Sequence, residues 1–385
     1  MNANISFFPV GNGDMTLVTT ESGRRILIDL NIRSAADDPD DATPDVARLL
    51  GDRLTKDSDG RPFVDVLLVS HPDEDHCRGL RKHFHLGPPS EWSAKADKIF
   101  VREIWSSPRV FRRASKNNPL CDDAKAFNRE AKRRVQRFRD AWGFVDDGDR
   151  VLILGEDEDG KTDDLTGILI KLDDEFSRVC GSTDPSLKAR LLGPLPQDDV
   201  ADGELLSKNN SSTILRFCLK GGGIPDKCRF LTGGDAEVEI WQRLWQRHKY
   251  RKDWLSYHLL QTPHHCSWRS LSYDSWSEGG EEAEVCEEAR NALAQALGGA
   301  SIVASSKPIK DDDDDPPCIR AKKEYETIVA GVNGAFRCVG EYPSETAPAV
   351  LEFEVTRDGL RVKNLANITP SPSRSAVGRQ PLGHG

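Results

Sequence analysis

Apolar residues in this chain come in short, β-branched runs broken by polar residues, and between those runs they recur at helical spacing. Residues 5–10, 15–19 and 24–30 read as three opening strands, the first two joined by the turn Gly11-Asn12-Gly13-Asp14. Residues 34–45, rich in Asp and Pro, read as a loop, and 45–54 as a helix. The run 64–69 reads as a buried strand, with a helix following from about Cys77 to Phe84. From Gly87 to about Leu206 the pattern loosens, although 99–105, 167–172 and 188–192 are strand-like and 125–139 has helical period. This middle reads as an insertion, about 87–206, within the same domain. Strands follow at 211–220 and 227–232, then a helix at 236–248, a strand at 258–261 and a helix at about 281–297. Strands at 301–305 and 349–356 close the series. Residues 1–365 therefore read as one domain, and the Pro-, Ser- and Gly-rich residues 366–385 as a disordered tail. Strand runs that pass into helices at both ends imply two β-sheets packed together with helices outside, an α+β layered fold.

Composition narrows the class. With 385 residues the chain is long enough for a large core. No apolar run approaches the roughly 18 residues that span a bilayer, and the N-terminus lacks a basic region followed by an apolar one. Nine cysteines without CxxC spacing favour reduced thiols, so the cytoplasm is the expected compartment. A net charge of −10 argues against whole-surface attraction to nucleic acid, which leaves local patches to decide. One patch is the helix at 125–139, where Lys125, Arg129, Lys132, Arg133 and Arg137 surround an apolar stripe of Phe127, Ala131, Val135 and Phe138. Such a helix is either an ordinary solvated surface or a contact for a phosphate backbone.

Candidate chemistry concentrates at strand ends. Directly after the run at 64–69 stand His71, Asp73, Asp75 and His76, four metal-capable side chains within six residues. Imidazole nitrogen and carboxylate oxygen together suit zinc, manganese or iron, and strand ends are where layered α/β folds build sites. Downstream, Thr232-Gly233-Gly234-Asp235 ends an apolar strand, Pro263-His264-His265-Cys266-Ser267 ends another, and Asn209-Asn210-Ser211-Ser212 precedes a third. Taken alone, a GGD is a turn, and paired histidines are as often a satisfied surface pair as a site.

The order of these segments resembles the metallo-β-lactamase-fold hydrolases, and more narrowly the soluble metallo-β-lactamase-like domain of ComEC-type DNA-uptake proteins, here free-standing. The residues that carry it are the Val10–Asp14 turn, Leu27-Ile28-Asp29, Ser70-His71-Pro72-Asp73-Glu74-Asp75-His76, Asn209–Ser212, Gly234-Asp235-Ala236 and Pro263–Ser267. The resemblance implies a four-layer αβ/βα sandwich and two divalent ions, Zn²⁺ or Mn²⁺. By that mapping His71 and Asp73 hold one ion, Asp75, His76 and His264 hold the other, and Asp235 bridges them. His265 is left as a ligand, a partner behind the ligands or a proton donor. Asp14 and Asp29 orient ligand histidines, with a turn role for Asp14 equally open. Two departures matter: Asp73 replaces the broad family's histidine, and Asn209-Asn210 stands where that family supplies another. Both match the ComEC-type branch and leave the first ion an oxygen-rich set.

The activity implied is metal-dependent phosphodiester cleavage, with a nucleic acid, DNA in preference, as substrate and hydroxide as nucleophile. Asp75, His265 and Asn210 are the expected catalytic residues. The alternatives are hydrolysis of a small phosphodiester or ester, such as a cyclic nucleotide or lactone, and a non-catalytic metal-binding scaffold. A free-standing cytoplasmic nuclease further implies a regulatory protein partner, with no role for a membrane.

Overall fold

The computed structural model describes residues 2–111, 120–157, 160–196 and 209–363. The expected disordered tail at 366–385 lies outside the described residues. Two sheets form the centre of the molecule. The first, ten-stranded, runs in the order Gly359–Val362, Leu351–Thr356, Ala3–Phe7, Thr16–Thr19, Arg25–Ile28, Pro62–Leu68, Phe100–Ser106, Arg150–Leu154 and Leu169–Ile170, with Thr55–Lys56 pairing off the path. It is antiparallel as far as Arg25–Ile28 and parallel beyond it, apart from that side pairing. The second, seven-stranded, orders Glu175–Phe176, Leu187–Gly193, Ile214–Gly221, Ile224–Thr232, Tyr257–Gln261, Ala296–Ala304 and Ala335–Cys338. It too changes from antiparallel to parallel, at Ile224–Thr232.

The apolar run 66–69 shows why the layers form. Val66 and Leu68 face the second sheet among Phe7, Phe217, Phe230 and Leu259, while Leu67 and Val69 pack under the helices. A strand buried on both faces reads as a continuous apolar run rather than an alternation. Phe7 and Phe230 meet edge-to-face across the sheets at 5.9 Å. Helices Val46–Gly51 and Asp122–Asp140 cover the first sheet, and Val238–His248, Glu287–Leu293 and Ile319–Ala330 cover the second. The result is the four-layer αβ/βα sandwich that the sequence implied. Residues 100–193 are woven into it, supplying parallel edge strands to the first sheet and Leu187–Gly193 to the second. No helix among the described residues is long and apolar enough to cross a membrane.

Three expected elements change in detail. The helix at 77–84 becomes two short ones, Glu74–Cys77 and Leu80–His83, split at Gly79 with φ +92°. A side chain at Gly79 would also meet Ile32 Cβ at 2.7 Å. The helix expected over 281–297 shrinks to Glu287–Leu293, because Ala296 onward pairs with Tyr257–Gln261 as a strand. The basic helix runs Asp122–Asp140, but its charges serve the fold more than its surface. Arg134 is 1 % exposed and fastens the helix to the sheet edge, donating to Glu130 Oε1 at 2.8 Å and to the carbonyls of Val101 and Arg150 at 3.0 Å. Arg133 pairs with Glu130 and Asp149, Arg137 approaches Asp149 at 3.5 Å, and Lys125 approaches Asp122 at 3.4 Å. Only Arg129 and Lys132, of the five cations proposed to meet phosphate, are exposed without an ion pair among the described residues. Glu130→Ala would strand a buried guanidinium and is expected to destabilise the fold by about 3–5 kcal/mol. A lowered midpoint in urea denaturation checks it; an unchanged midpoint would show that Glu130 does not neutralise Arg134.

Candidate metal centre

The parallel strands Arg25–Ile28 and Pro62–Leu68 of one sheet, and Ile224–Thr232 and Tyr257–Gln261 of the other, deliver their C-terminal loops to one edge of the sandwich. Asp29, residues 70–76, Asp235 and His264-His265 follow those strands, and the turn carrying Asp14 joins them. Two glycines permit the close approach. A Cβ at Gly13 would lie 2.2 Å from Asn31 Nδ2 and 2.8 Å from Asp75 O, where Asp14 N donates to that same carbonyl at 3.2 Å. A Cβ at Gly234, φ +50°, would meet Ser70 Oγ at 2.8 Å and Ser212 Oγ at 2.9 Å. Gly234→Ala is therefore expected to distort the neighbouring Asp235 and lower both metal content and thermal stability; retention of both in the purified variant would refute the tight fit.

Backbone strain gathers at the same place. His264, His265 and Cys266 occupy the left-handed region in succession, with φ 49°, 52° and 71°, and Asp29 does so at 55°. Non-glycine residues pay for such conformations, at about 1–3 kcal/mol each, only where the surroundings over-determine them. Here the left-handed turn aims two adjacent side chains at one centre.

Three histidines are oriented from behind. His76 Nδ1 lies 2.9 Å from Asp29 Oδ2, which also accepts from Ser70 Oγ at 2.6 Å, while Asp29 Oδ1 accepts from Ser70 N at 2.6 Å. His265 Nδ1 lies 3.4 Å from Asp14 Oδ1. Since Ser70 gives its hydroxyl hydrogen to Asp29, it accepts from His71 Nδ1 at 3.1 Å. In the neutral rings of His71 and His76 the Nδ1 thus carries the hydrogen, an assignment made from the network, and Nε2 turns an unshared pair inward. His265 Nδ1 faces Asp14 without a hydrogen bond among the described residues. Asp29 thus lies behind His76 and Asp14 beside His265, while Asp14 N also closes the turn onto Asp75 O.

The inward atoms form two groups around Asp235. His76 Nε2 is 3.0 Å from Asp235 Oδ1 and 3.2 Å from His265 Nε2; His265 Nε2 is 3.5 Å from Asp235 Oδ1 and 3.3 Å from Asp75 Oδ2. On the other oxygen, Asp235 Oδ2 is 3.5 Å from His71 Nε2 and 3.7 Å from His264 Nε2, with Asp73 Oδ2 3.8 Å from His71 Nε2. The grouping differs from the expected one: His265, not His264, joins Asp75 and His76, and His264 joins His71 and Asp73. Because adjacent residues in a left-handed turn diverge, the pair splits between the two groups.

The donor set fits metal. Ligands about 2.0–2.1 Å from a tetrahedral ion stand about 3.3 Å apart, close to the separations in the group of His76, His265, Asp75 and Asp235. Two unprotonated Nε2 atoms at 3.2 Å cannot hydrogen-bond each other, and His71 Nε2 and Asp235 Oδ1 are buried without a hydrogen bond among the described residues. Asp14, His76, Asp235 and His265, all buried, present ligand-type atoms within 4.8 Å of one another. Electrostatics agree. Burial opposes charge on Asp235, yet His76, His265, His71 and His264 hold it well below the usual carboxylate range. Burial likewise opposes protonation of His76 and His265, but Asp235 with Asp29, and Asp235 with Asp14, raise both rings well above their ordinary value. A centre that draws protons this strongly has the charge to hold cations in their place.

Three further residues shape the site. Glu237 Oε1 lies 3.9 Å from His264 Nδ1 and accepts from Asn209 Nδ2 at 2.9 Å. Asn210 Oδ1 accepts from Glu237 N at 3.3 Å, so Asn210 holds the loop of Asp235 in position rather than projecting free. Ser212 Oγ accepts from Asp235 N at 3.1 Å. Glu237 is not singled out by the sequence, and Ser70 enters only as part of the metal-ligand motif, with no role given to it. Cys266 is fully buried in the outer core of the second sheet and faces no ligand group.

No family model matches the chain, and no curated protein sequence matches it. Among solved structures, an isothiocyanate hydrolase from Delia radicum gut bacteria aligns over 86 % of this chain and 95 % of its own, at 14 % identity and a TM-score of 0.37. That likeness is one of outline, and the assignments here rest on this chain's own residues.

Proposed function

We propose that the chain is a metal-dependent hydrolase of the metallo-β-lactamase fold, ComEC-type branch, that cleaves phosphodiester bonds in nucleic acid, DNA in preference. The observation that carries this reading is Asp235, whose two carboxylate oxygens each face a separate group of histidine and aspartate ligands. His71, Asp73 and His264 would hold one divalent ion, and Asp75, His76 and His265 the other, each Zn²⁺ or Mn²⁺. When bound, such ions supply a nucleophilic hydroxide at neutral pH and neutralise charge developing on phosphoryl oxygens. The chain's own contribution is orientation. Asp29 and Ser70 fix the imidazole tautomers of His76 and His71, Asp14 faces His265, Glu237 flanks His264, and the left-handed turn holds His264 and His265 apart. In this reading His265, whose Nε2 lies 3.3 Å from Asp75 and 3.5 Å from Asp235, is assigned to the ligand set.

An anionic substrate is favoured by the concavity beside the ligand loop. A cavity of about 730 Å³ is lined by Arg33, Arg78, Arg81 and Lys82 against Glu74 and Asp123. Arg33, its charge opposed by burial and by Arg78, makes no ion pair among the described residues and lies against Gly11 of the Asp14 turn. The cavity's other cations are paired, as those of the helix at 125–139 mostly are, Arg78 with Glu74, Arg81 with Asp123 and Lys82 with Asp37, so Arg33 is the charge that favours an anion there. All nine cysteines are free, which favours a reducing compartment such as the cytoplasm, and control by a protein partner is proposed with it.

Purified protein supplied with Mn²⁺ or Zn²⁺ is expected to cut plasmid or single-stranded DNA, and Asp75→Ala or His76→Ala to lower the rate by at least about 100-fold. Intact DNA under every metal, with cleavage of a bis-aryl phosphodiester, would transfer the assignment to a small substrate. Absence of bound metal and of any metal-dependent stabilisation would sink the hydrolase reading altogether.

A further inference from the structure

The outer face of the second sheet is covered by helices only over part of its width. Where Leu187–Gly193, Ile214–Gly221 and Ile224–Thr232 lie side by side, the inward positions Ala189, Phe217 and Phe230 fill the core between the sheets. The alternate positions, Lys188, Arg190, Arg216, Lys220 and Arg229, line a cavity of about 430 Å³. Three carboxylates, Glu175, Asp226 and Asp253, also line it, so cations are in excess there although the chain's net charge is −10.

Most of these cations have partners. Lys188 and Arg190 reach Glu175 at 2.9 and 3.0 Å, and Arg229 reaches Asp226 at 2.7 Å. Lys220 and Arg216 make no ion pair among the described residues, and of these Arg216 is the buried one. It is 5 % exposed, donates to the carbonyl of Asp253, and has no carboxylate within ion-pair distance among the described residues. Its Nε is buried without a hydrogen bond. Arg190 stands directly opposite it in the strand register, so two like charges face each other where an opposite pair would be favourable. Neither a solvated surface nor a self-sufficient core needs that arrangement, because a buried guanidinium without a counter-charge is costly.

We infer that this cavity is a second ligand site, built around Arg216 and Arg190, for a phosphate-bearing anion. It is separate from the metal centre: none of its lining residues belongs to the ligand groups, and Arg229 stands three residues before the end of the strand Ile224–Thr232, about 10 Å of extended chain, with Asp235 in the turn beyond that end. The cavity's size suits a mononucleotide or one to two phosphates of a nucleic-acid backbone. Guanidinium groups in pairs recognise phosphate oxygens in bidentate fashion, which lysines alone do not. The inference does not depend on the proposed hydrolase activity.

The test uses the metal-loaded full chain at fixed ionic strength, titrated separately with inorganic phosphate, ATP and a 12-nucleotide single strand. Thermal shift and calorimetry are read for wild type, Arg216→Met and Arg190→Gln. Wild type is expected to gain about 2–4 °C at saturating ligand, and both variants to lose most of that gain. Arg216→Met removes a buried charge and should keep the fold; if it does not, Arg190→Gln carries the test alone. Binding of phosphate or ATP but not the strand identifies a small phosphorylated ligand. Tight, salt-dependent binding of the strand, lost in the variants, identifies a backbone site. No gain with any of the three probes, or an equal gain in the variants, overturns the inference, the latter because the anion then sits at the metal centre.

Discussion

Asp235→Asn is expected to lower hydrolysis by about 1,000-fold or more and to leave the protein with one bound ion or none. The argument is geometric. One carboxylate oxygen stands 3.0 and 3.5 Å from the Nε2 atoms of His76 and His265, and the other 3.5 and 3.7 Å from those of His71 and His264. An amide keeps the shape of the side chain but replaces one oxygen with an NH₂ group. Whichever way it turns, it points a donor at one set of ligands and withdraws the negative charge shared by both. Asp73→Asn is expected to do less, because Asp73 is about a quarter exposed and serves one group only. Metal analysis together with the rate separates the effects: full metal content with a large loss of rate would deny Asp235 its bridging position. In the metal-free state the substitution is also expected to lower stability near neutral pH, because the ionised Asp235 is the charge that balances the protonated His76 and His265 rings.

Much of this centre was legible because its ligands are local in sequence. A strand followed by His71, Asp73, Asp75 and His76 needs no long-range information, since the side chains leave one strand end together. Asp235 and the histidine pair were legible as further strand ends. What the sequence could not give is which of His264 and His265 serves which group. The three successive left-handed residues that decide it are His264, His265 and Cys266; histidine visits that region more often than most non-glycine residues, but a run of three without glycine is not announced by the sequence. The same holds for Arg134. Helical period identified the stripe of Phe127, Ala131 and Val135, but a long cation beside that stripe reads as solvated unless the carbonyls of Val101 and Arg150 are known to await it. The strand starting at Ala296 was hidden differently. Ala-Leu-Gly-Gly-Ala has no β-branched residue until Ile302, so only the pairing with Tyr257–Gln261 reveals it. Local chemistry survives a reading of the sequence better than partners supplied from elsewhere in the fold.

Removal of metal by chelation is expected to cost more stability the higher the pH. Without ions, protons on His76 and His265 balance the carboxylates of Asp14, Asp29, Asp75 and Asp235. Burial opposes that protonation, but the surrounding carboxylates hold both rings well above their ordinary value. Groups whose folded value is raised contribute stability that is fully present below the unfolded value of about 6.5 and is lost as pH rises through the folded value. Asp235 and Asp75 work in the opposite sense. Burial opposes their charge, yet the neighbouring histidines depress both, so their contribution is present above about pH 3.9 and fails only as pH falls through the lowered folded values. The metal-free protein is therefore best balanced in mild acid and loses its counter-charges in mild alkali. The loaded protein keeps its cations across that range, and its ligands bind them more tightly as they lose protons. The gap in Tm between loaded and chelated protein should widen from a few degrees at pH 6 to about 10 °C at pH 9. A gap that stays constant or narrows over that range would mean that the histidines around Asp235 are not the groups that metal replaces.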